Sequence, residues 1–157
     1  MDLGSQSVNE LLASLAAKQP TPGGGAVAGL LAGLSSSLGQ MVLAYTEGKK
    51  KYAKYEAMLD ESVSFFRKAS QEAITLGNAD ADAYETLNVL WKLDKEDPKR
   101  IALWDDALAN AIEVPFQTMQ LSERVLTTIN NLVGKTNAML ASDLVIAAIL
   151  AEASARS

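Results

Sequence analysis

The sequence predicts an all-α protein, a mainly antiparallel up-and-down bundle of five to six helices. Apolar residues recur at helical spacing along most of the chain, and no segment shows the period-two alternation of a half-buried strand. The chain is 48% hydrophobic but only 6% aromatic, so its core is built from Ala, Leu, Val and Ile, of which Ala and Leu favour helix. Connections between the periodic segments are short, which sets neighbouring helices antiparallel. At 157 residues the chain, 1–157, fits a single domain.

The elements follow in order. Ser7-Val8-Asn9-Glu10 reads as a capping box and opens a first helix that reaches about Lys18. The stretch QPTPGGG, residues 19–25, breaks it. A second helix runs from about Gly25 to Thr46, with an apolar stripe at Val27, Leu30, Leu31, Leu34, Leu38, Met41, Val42 and Tyr45. Its length and its glycines at 25, 29 and 33 also suit a membrane span. Its Ser35-Ser36-Ser37 and Gln40, and its few large apolar residues, favour a buried helix whose glycines permit close packing. EGKKK, residues 47–51, is a turn. A third helix is predicted from about Lys51 to Leu76, capped by Gly77-Asn78, and a fourth from about Ala79 to Lys92. After the charged loop DKEDPKR, a helix opens at Pro98 and runs to about Val133, with Pro115 expected to kink or split it. A last helix spans about Ala138 to Ala153.

Composition excludes much chemistry. With no cysteine there is no disulfide, no thiolate nucleophile and no Cys-ligated metal. With no histidine there is no Ser-His-Asp triad, no His-ligated zinc and no imidazole base. Acid and base roles fall to Asp, Glu, Lys, Tyr or water. A net charge of −5 argues against a broad nucleic-acid surface. The opening MDLGSQSVNE lacks the regions of a signal peptide, so a cytoplasmic protein is expected.

The informative carboxylates are those on apolar faces. Asp143 has Met139, Leu140, Ile146 and Ala147 at helical spacing, and Asp80 has Leu76, Gly77, Ala83 and Tyr84. A buried carboxylate needs a partner or a task, because burial without one costs several kcal/mol or raises the pKa. For Asp80 the simpler explanation is a first-turn position favoured by the helix dipole. For Asp143 it is a cap formed with Ser142. Lys49-Lys50-Lys51 reads either as a solvated basic turn or as a cationic site for an anionic tail. Gly23-Gly24-Gly25 matches neither a Walker loop nor a dinucleotide fingerprint. Glycines that open a helix still expose backbone N–H groups and admit a ligand closely.

Together these pieces resemble the cyclodeaminase/cyclohydrolase family of folate enzymes, which includes formiminotetrahydrofolate cyclodeaminase and stand-alone bacterial methenyltetrahydrofolate cyclohydrolases. The matching pieces, in order, are PTPGGGAVAGLLAGLSSSLGQMV from Pro20, GKKKY at Gly48–Tyr52, DADAY at Asp80–Tyr84, AIEVP at Ala111–Pro115 and SDLVIAA at Ser142–Ala148. Ala26 stands where the family usually has Ser. The chain ends at AEASARS, short of the Gly-Ala and Asn-Val-x-x-Asn stretch through which family members usually continue into further helix.

The resemblance implies a homodimeric helical bundle that acts on a reduced folate, with no metal and no cofactor beyond that substrate, and no nucleic-acid or membrane partner. One reaction closes 5-formiminotetrahydrofolate to 5,10-methenyltetrahydrofolate and releases ammonia. The other opens the methenyl cation with water to 10-formyltetrahydrofolate. Asp143 and Asp80 are the candidate catalytic groups, either of which could move a proton or grip the pterin. Pro22, Gly23, Gly24, Gly25, Tyr84 and Ser142 are the candidate contacts for the substrate, and Lys49, Lys50 and Lys51 those for its glutamate or polyglutamate tail. Two other readings stay open: a catalytically inactive bundle kept for oligomeric assembly, and a small membrane-associated bundle.

Overall fold

The computed structural model describes residues 2–157, and among them the chain forms five α-helices, two short 3-10 helices and no strand. The α-helices are α1 (Val8–Ala16), α2 (Gly24–Ala44), α3 (Glu56–Trp91), α4 (Pro98–Leu132) and α5 (Ala141–Ala155). One 3-10 helix, Lys50–Tyr55, leads into α3, and the other, Ala138–Leu140, leads into α5.

Local signals account for several boundaries. Ser7 caps α1 with a complete capping box: its hydroxyl accepts from Glu10 N–H while the Glu10 carboxylate accepts from Ser7 N–H at 2.8 Å. Asp97 caps α4 by accepting from Lys99 N–H at 2.8 Å, with Pro98 in the first turn, where a missing N–H costs nothing.

Helix α2 is central, with α3, α4 and α5 packed around it. Small residues make this possible. A methyl group on Gly29 would lie 2.7 Å from the Ala73 carbonyl oxygen and 2.8 Å from Gly77 Cα, so α2 and α3 approach backbone to backbone at this crossing. Gly39 leaves room in the same way for the Phe66 ring. Phe66 has no exposed surface, which stabilises the fold by about 1.5–3 kcal/mol relative to leaving it in water. Buried hydroxyls set the antiparallel register of α5 on α2. Ser154 Oγ donates to the Ala28 carbonyl at 2.7 Å, and Ser35 Oγ to the Ala147 carbonyl at 2.7 Å. By length and composition alone, α2 and Ala138–Ala155 could each cross a membrane. In this fold α2 is mostly covered by its neighbours, whereas α5 leaves Val145, Ile146 and Ile149 exposed.

Four expectations change. Of the apolar stripe expected on α2 only Val42 is buried, and Leu34 and Tyr45 are exposed, because the close approach of the neighbouring helices buries the face of small residues, Ala28, Gly29, Ala32, Ser35, Ser36 and Gly39 among them. No helix ends at Gly77-Asn78, and α3 continues through both as one 36-residue helix. Gly77 has no positive φ and serves as the close-contact partner of α2 instead of a cap. Pro115 does not split α4, which runs continuously through it. The last helix begins at Ala141, after a 3-10 turn capped by Asn137.

Candidate active site

The glycine stretch and Asp80 meet. Gly23 is the N-cap of α2, with extended backbone, and Pro22 before it is buried. Gly25, in the first turn of α2, lies directly under the Asp80 side chain, and a methyl group there would overlap the carboxylate. Asp80 is half-buried on α3, well inside the helix. The dipole that acts on it therefore belongs to the N-terminus of α2 and not to its own helix. Burial pushes the Asp80 pKa above its ordinary value, and a hydrogen bond from the Ala26 backbone N–H opposes the shift. A carboxyl group so placed holds a proton more readily than a solvated one, yet keeps a donor ready for its ionised form. Tyr84, one turn along α3, is half exposed.

Beside Asp80 is a small hollow of about 120 Å³, whose lining includes Gly25, Ala28, Pro115, Thr118, Met119 and Ser154. Its size suits a few water molecules and not a whole folate, since pockets that enclose ligands of drug size run to about 300–1,000 Å³.

The lysines and Asp143 lie elsewhere. Helix α2 has 21 residues and is about 31 Å long, and it separates the glycine end from Lys49–Lys51. Lys49 and Lys50 line a hollow of about 610 Å³ together with Arg67, Glu56 and Asp60. Lys51 lines a second hollow of about 490 Å³, and its ammonium lies 5.3 Å from the Tyr52 ring centre. Tyr52 contributes to both hollows, and its buried hydroxyl accepts from Ala138 N–H at 3.3 Å. Asp143 is half-buried in the first turn of α5, with Ser142 exposed beside it. Asp143 makes no hydrogen bond or ion pair with any described residue, so the dipole of α5 is its main support. Eleven residues of α5 separate Asp143 from Ser154 in the Asp80 hollow, a distance of about 16 Å along the helix. Within one chain, then, Pro22, Gly23–Gly25, Asp80 and Tyr84 cluster at one end of α2, and the lysines, Ser142 and Asp143 lie toward the other.

Comparison with known proteins gives the family of the chain. The profile of the formiminotransferase-cyclodeaminase family matches residues 7–157. The chain belongs to this family. Among proteins similar to this cyclodeaminase-family chain is a methenyltetrahydrofolate cyclohydrolase of Methylorubrum extorquens, 28% identical over 98% of this chain and 76% of its own. A formimidoyltransferase-cyclodeaminase of Gallus gallus is 24% identical over 96% of this chain, which spans 29% of that longer protein. The fold is similar to the crystal structure of formiminotetrahydrofolate cyclodeaminase from Thermotoga maritima, with a TM-score of 0.87 and 27% identity over 96% of this chain and 73% of that one.

Several residues that line these hollows were not singled out from sequence. Thr118 and Ser154 join Asp80 at the small hollow, and Arg67 joins the lysines at the large one. Ser154 carries a readable signal, a hydroxyl one turn from Leu150 and Ala151 in a strongly apolar helix. Arg67 carries none, because its approach to Lys49 depends on how α3 folds back along α2.

Proposed function

We propose that this chain is a folate one-carbon enzyme, cyclising 5-formiminotetrahydrofolate to 5,10-methenyltetrahydrofolate with release of ammonia, or interconverting methenyl- and 10-formyltetrahydrofolate. The observation that carries this reading is Asp80, a half-buried carboxyl with a raised pKa, seated on the first turn of the glycine-led helix α2.

Both reactions exchange a small nucleophile at the carbon that bridges N5 and N10. In the deamination, N10 attacks the carbon of the protonated formimino group and a C–N10 bond forms. The proton on N10 passes by way of Asp80 to the amino nitrogen. The bond from carbon to that nitrogen then breaks, ammonia leaves with the electron pair, and the methenyl cation remains. In the hydrolysis, water adds to the methenyl carbon and loses one proton to Asp80. The C–N5 bond breaks as that proton is delivered to N5, and loss of the hydroxyl proton to solvent leaves a formyl group on N10. A carboxyl with a raised pKa suits a group that must hold a proton between two nitrogen centres, and its ionised form stabilises the adjacent cation. Neither path calls on a metal or on a cofactor beyond the folate.

In this reading the enzyme is a cytoplasmic homodimer without a nucleic-acid or membrane partner. The exposed apolar residues Val145, Ile146 and Ile149 of α5 support the dimer, which light scattering tests directly. The lysines, about 31 Å from Asp80, contact a polyglutamate tail or the tail of a folate seated in the partner protomer.

The deciding experiment follows the methenyl absorbance with formimino substrate and with water, for the wild type and for Asp80→Asn. Turnover by the wild type and its loss in the variant are expected. A protein that no reduced folate stabilises against heat at millimolar concentration would end the proposal, and would leave an inactive assembly module in its place.

A further inference from the structure

The geometry points to the small hollow beside Asp80 as the seat of the ammonia or water exchanged in the reaction, with the Ser154 hydroxyl as its second polar contact. This rests on the function proposed above and goes further by naming which part of the chemistry the hollow serves.

Size comes first. At about 120 Å³ the hollow has room for a few small molecules and lies below the about 300–1,000 Å³ of sites that enclose drug-sized ligands. The walls are largely apolar, with Met119, Pro115 and Ala28 among them, so the polar groups that line it direct whatever enters.

Hydrogen-bond accounting comes second. Ser154 is only 2% exposed. Its Oγ lies 2.7 Å from the Ala28 carbonyl and 2.8 Å from Ser122 Oγ, and Ser122 Oγ lies 2.8 Å from the Thr118 carbonyl. Two hydroxyl protons thus face three possible contacts. If Ser154 donates to Ala28 and Ser122 to Ser154, one Ser154 lone pair is left over, and if Ser122 donates to the Thr118 carbonyl instead, both are. If Ser154 donates to Ser122, both of its lone pairs are left over. In each case Ser154 can accept one further hydrogen bond, and Ser154 is among the residues that line the hollow.

Ammonia and water each carry more than one hydrogen. One hydrogen directed to Asp80 and another to Ser154 leave the lone pair of the nucleophile free to meet the bridging carbon. In the deamination direction the same two acceptors receive the departing ammonia. Asp80 takes up or returns the proton, and Ser154 stays a neutral acceptor throughout, so no further co-reactant is required.

The competing explanation is that Ser154 only clamps α5 to α2 and α4. Three variants separate the two, with methenyltetrahydrofolate as substrate and ammonium concentration varied. Ser154→Ala is expected to raise the KM for ammonium about tenfold, the loss of one hydrogen bond, with the KM for folate unchanged. With water as nucleophile the same variant lowers kcat about tenfold at unchanged folate KM. Ser122→Ala removes the clamp partner outside the hollow and is expected to keep both values within twofold. Ala155→Val, which fills the hollow from the end of α5, lowers kcat while folate binding holds, and serves as the test if Ser154→Ala does not fold. The inference is overturned if Ser154→Ala and Ala155→Val turn over at the wild-type rate with wild-type ammonium KM, or if Ser122→Ala matches Ser154→Ala in its kinetics. A wild type that binds no reduced folate defeats the proposed function instead, a separate result.

Discussion

Gly25→Ala separates the stability of this fold from the placement of its carboxylate. The backbone of Gly25 is not in the left-handed region, so alanine is sterically allowed there. Replacing glycine by alanine within a helix stabilises by up to about 1 kcal/mol, and by less in the first turn. Against this, the new methyl group overlaps the Asp80 carboxylate. That carboxylate is the free end of a side chain with two rotatable bonds, so it swings away while the helices stay in place. The hydrogen bond from Ala26 N–H is then lost, but the carboxylate also moves toward water, which relieves the burial that raises its pKa. These effects oppose one another, and the net stability change is expected within about 1 kcal/mol, or about 2–4 °C in Tm for a chain of this size. Turnover is different, because a displaced acid/base group loses about 10²–10⁴-fold. In an Asp80→Ala background the overlap is gone, and Gly25→Ala should be neutral or stabilising with no further loss of activity. Thermal unfolding and the methenyl absorbance assay on the four proteins of this cycle supply both readings. A Gly25→Ala enzyme with wild-type turnover would refute the placement of Asp80 in the chemistry. One that unfolds would refute the claim that the side chain yields before the helices do.

Asp80 also sets a pH dependence. Its folded pKa lies above the ordinary 3.8, so the folded protein holds this proton where the unfolded chain has released it. Stability relative to Asp80→Asn therefore falls as pH rises from about 3.8 through the folded value and levels off above it, a trend that urea titrations across that range would show. Gly29→Ala forces a methyl group against the Ala73 carbonyl and the Gly77 backbone, which cannot swing aside, and should cost about 1–3 kcal/mol by urea denaturation. Gly24→Ala meets open space and should be neutral or slightly stabilising in the same assay.

Sequence revealed the parts of this fold that local chemistry decides. The capping box at Ser7 and the start at Asp97-Pro98 are each written within a few adjacent residues, whereas the stripe of large apolar residues on α2 is a poor guide, because that helix buries its small residues against its neighbours. Gly77-Asn78 misled because glycine has two uses. The chain gives the same letter to a glycine that ends a helix and to one that admits a neighbouring backbone, and only the opposing Gly29 distinguishes them. That error carried over to Asp80, whose apolar neighbours were legible but whose supporting dipole was assigned to the wrong helix. The Ser122–Ser154 pair is buried among apolar residues, as the Asp80 carboxylate is in part. Its sequence signal is Ser122 itself, which has Met119, Val125 and Leu126 at helical spacing. The distance between glycines and lysines was available from sequence alone, since residues 24–44 form a single helix between them.

That distance makes the two aspartates unequal, and the inequality can be tested. Asp80 touches a helix N-terminus, has a raised pKa and borders a hollow of the right size for the exchanged nucleophile. Asp143 sits in the first turn of its own helix and does not border that hollow, from which about 16 Å of α5 separates it. A carboxylate so far away cannot move a proton to or from the one-carbon unit held at Asp80 of the same protomer. If each protomer acts alone, Asp143→Asn should keep kcat within about tenfold of the wild type, where Asp80→Asn loses about 10²–10⁴-fold. If Asp143→Asn proves equally inactive, its contribution must come from across the dimer. Mixing unfolded Asp80→Asn and Asp143→Asn chains and refolding them together would then restore activity, because some mixed dimers would carry one site with both native aspartates. Inactivity of both variants without such restoration would contradict the separation along α5 and require the two carboxylates to meet within one chain.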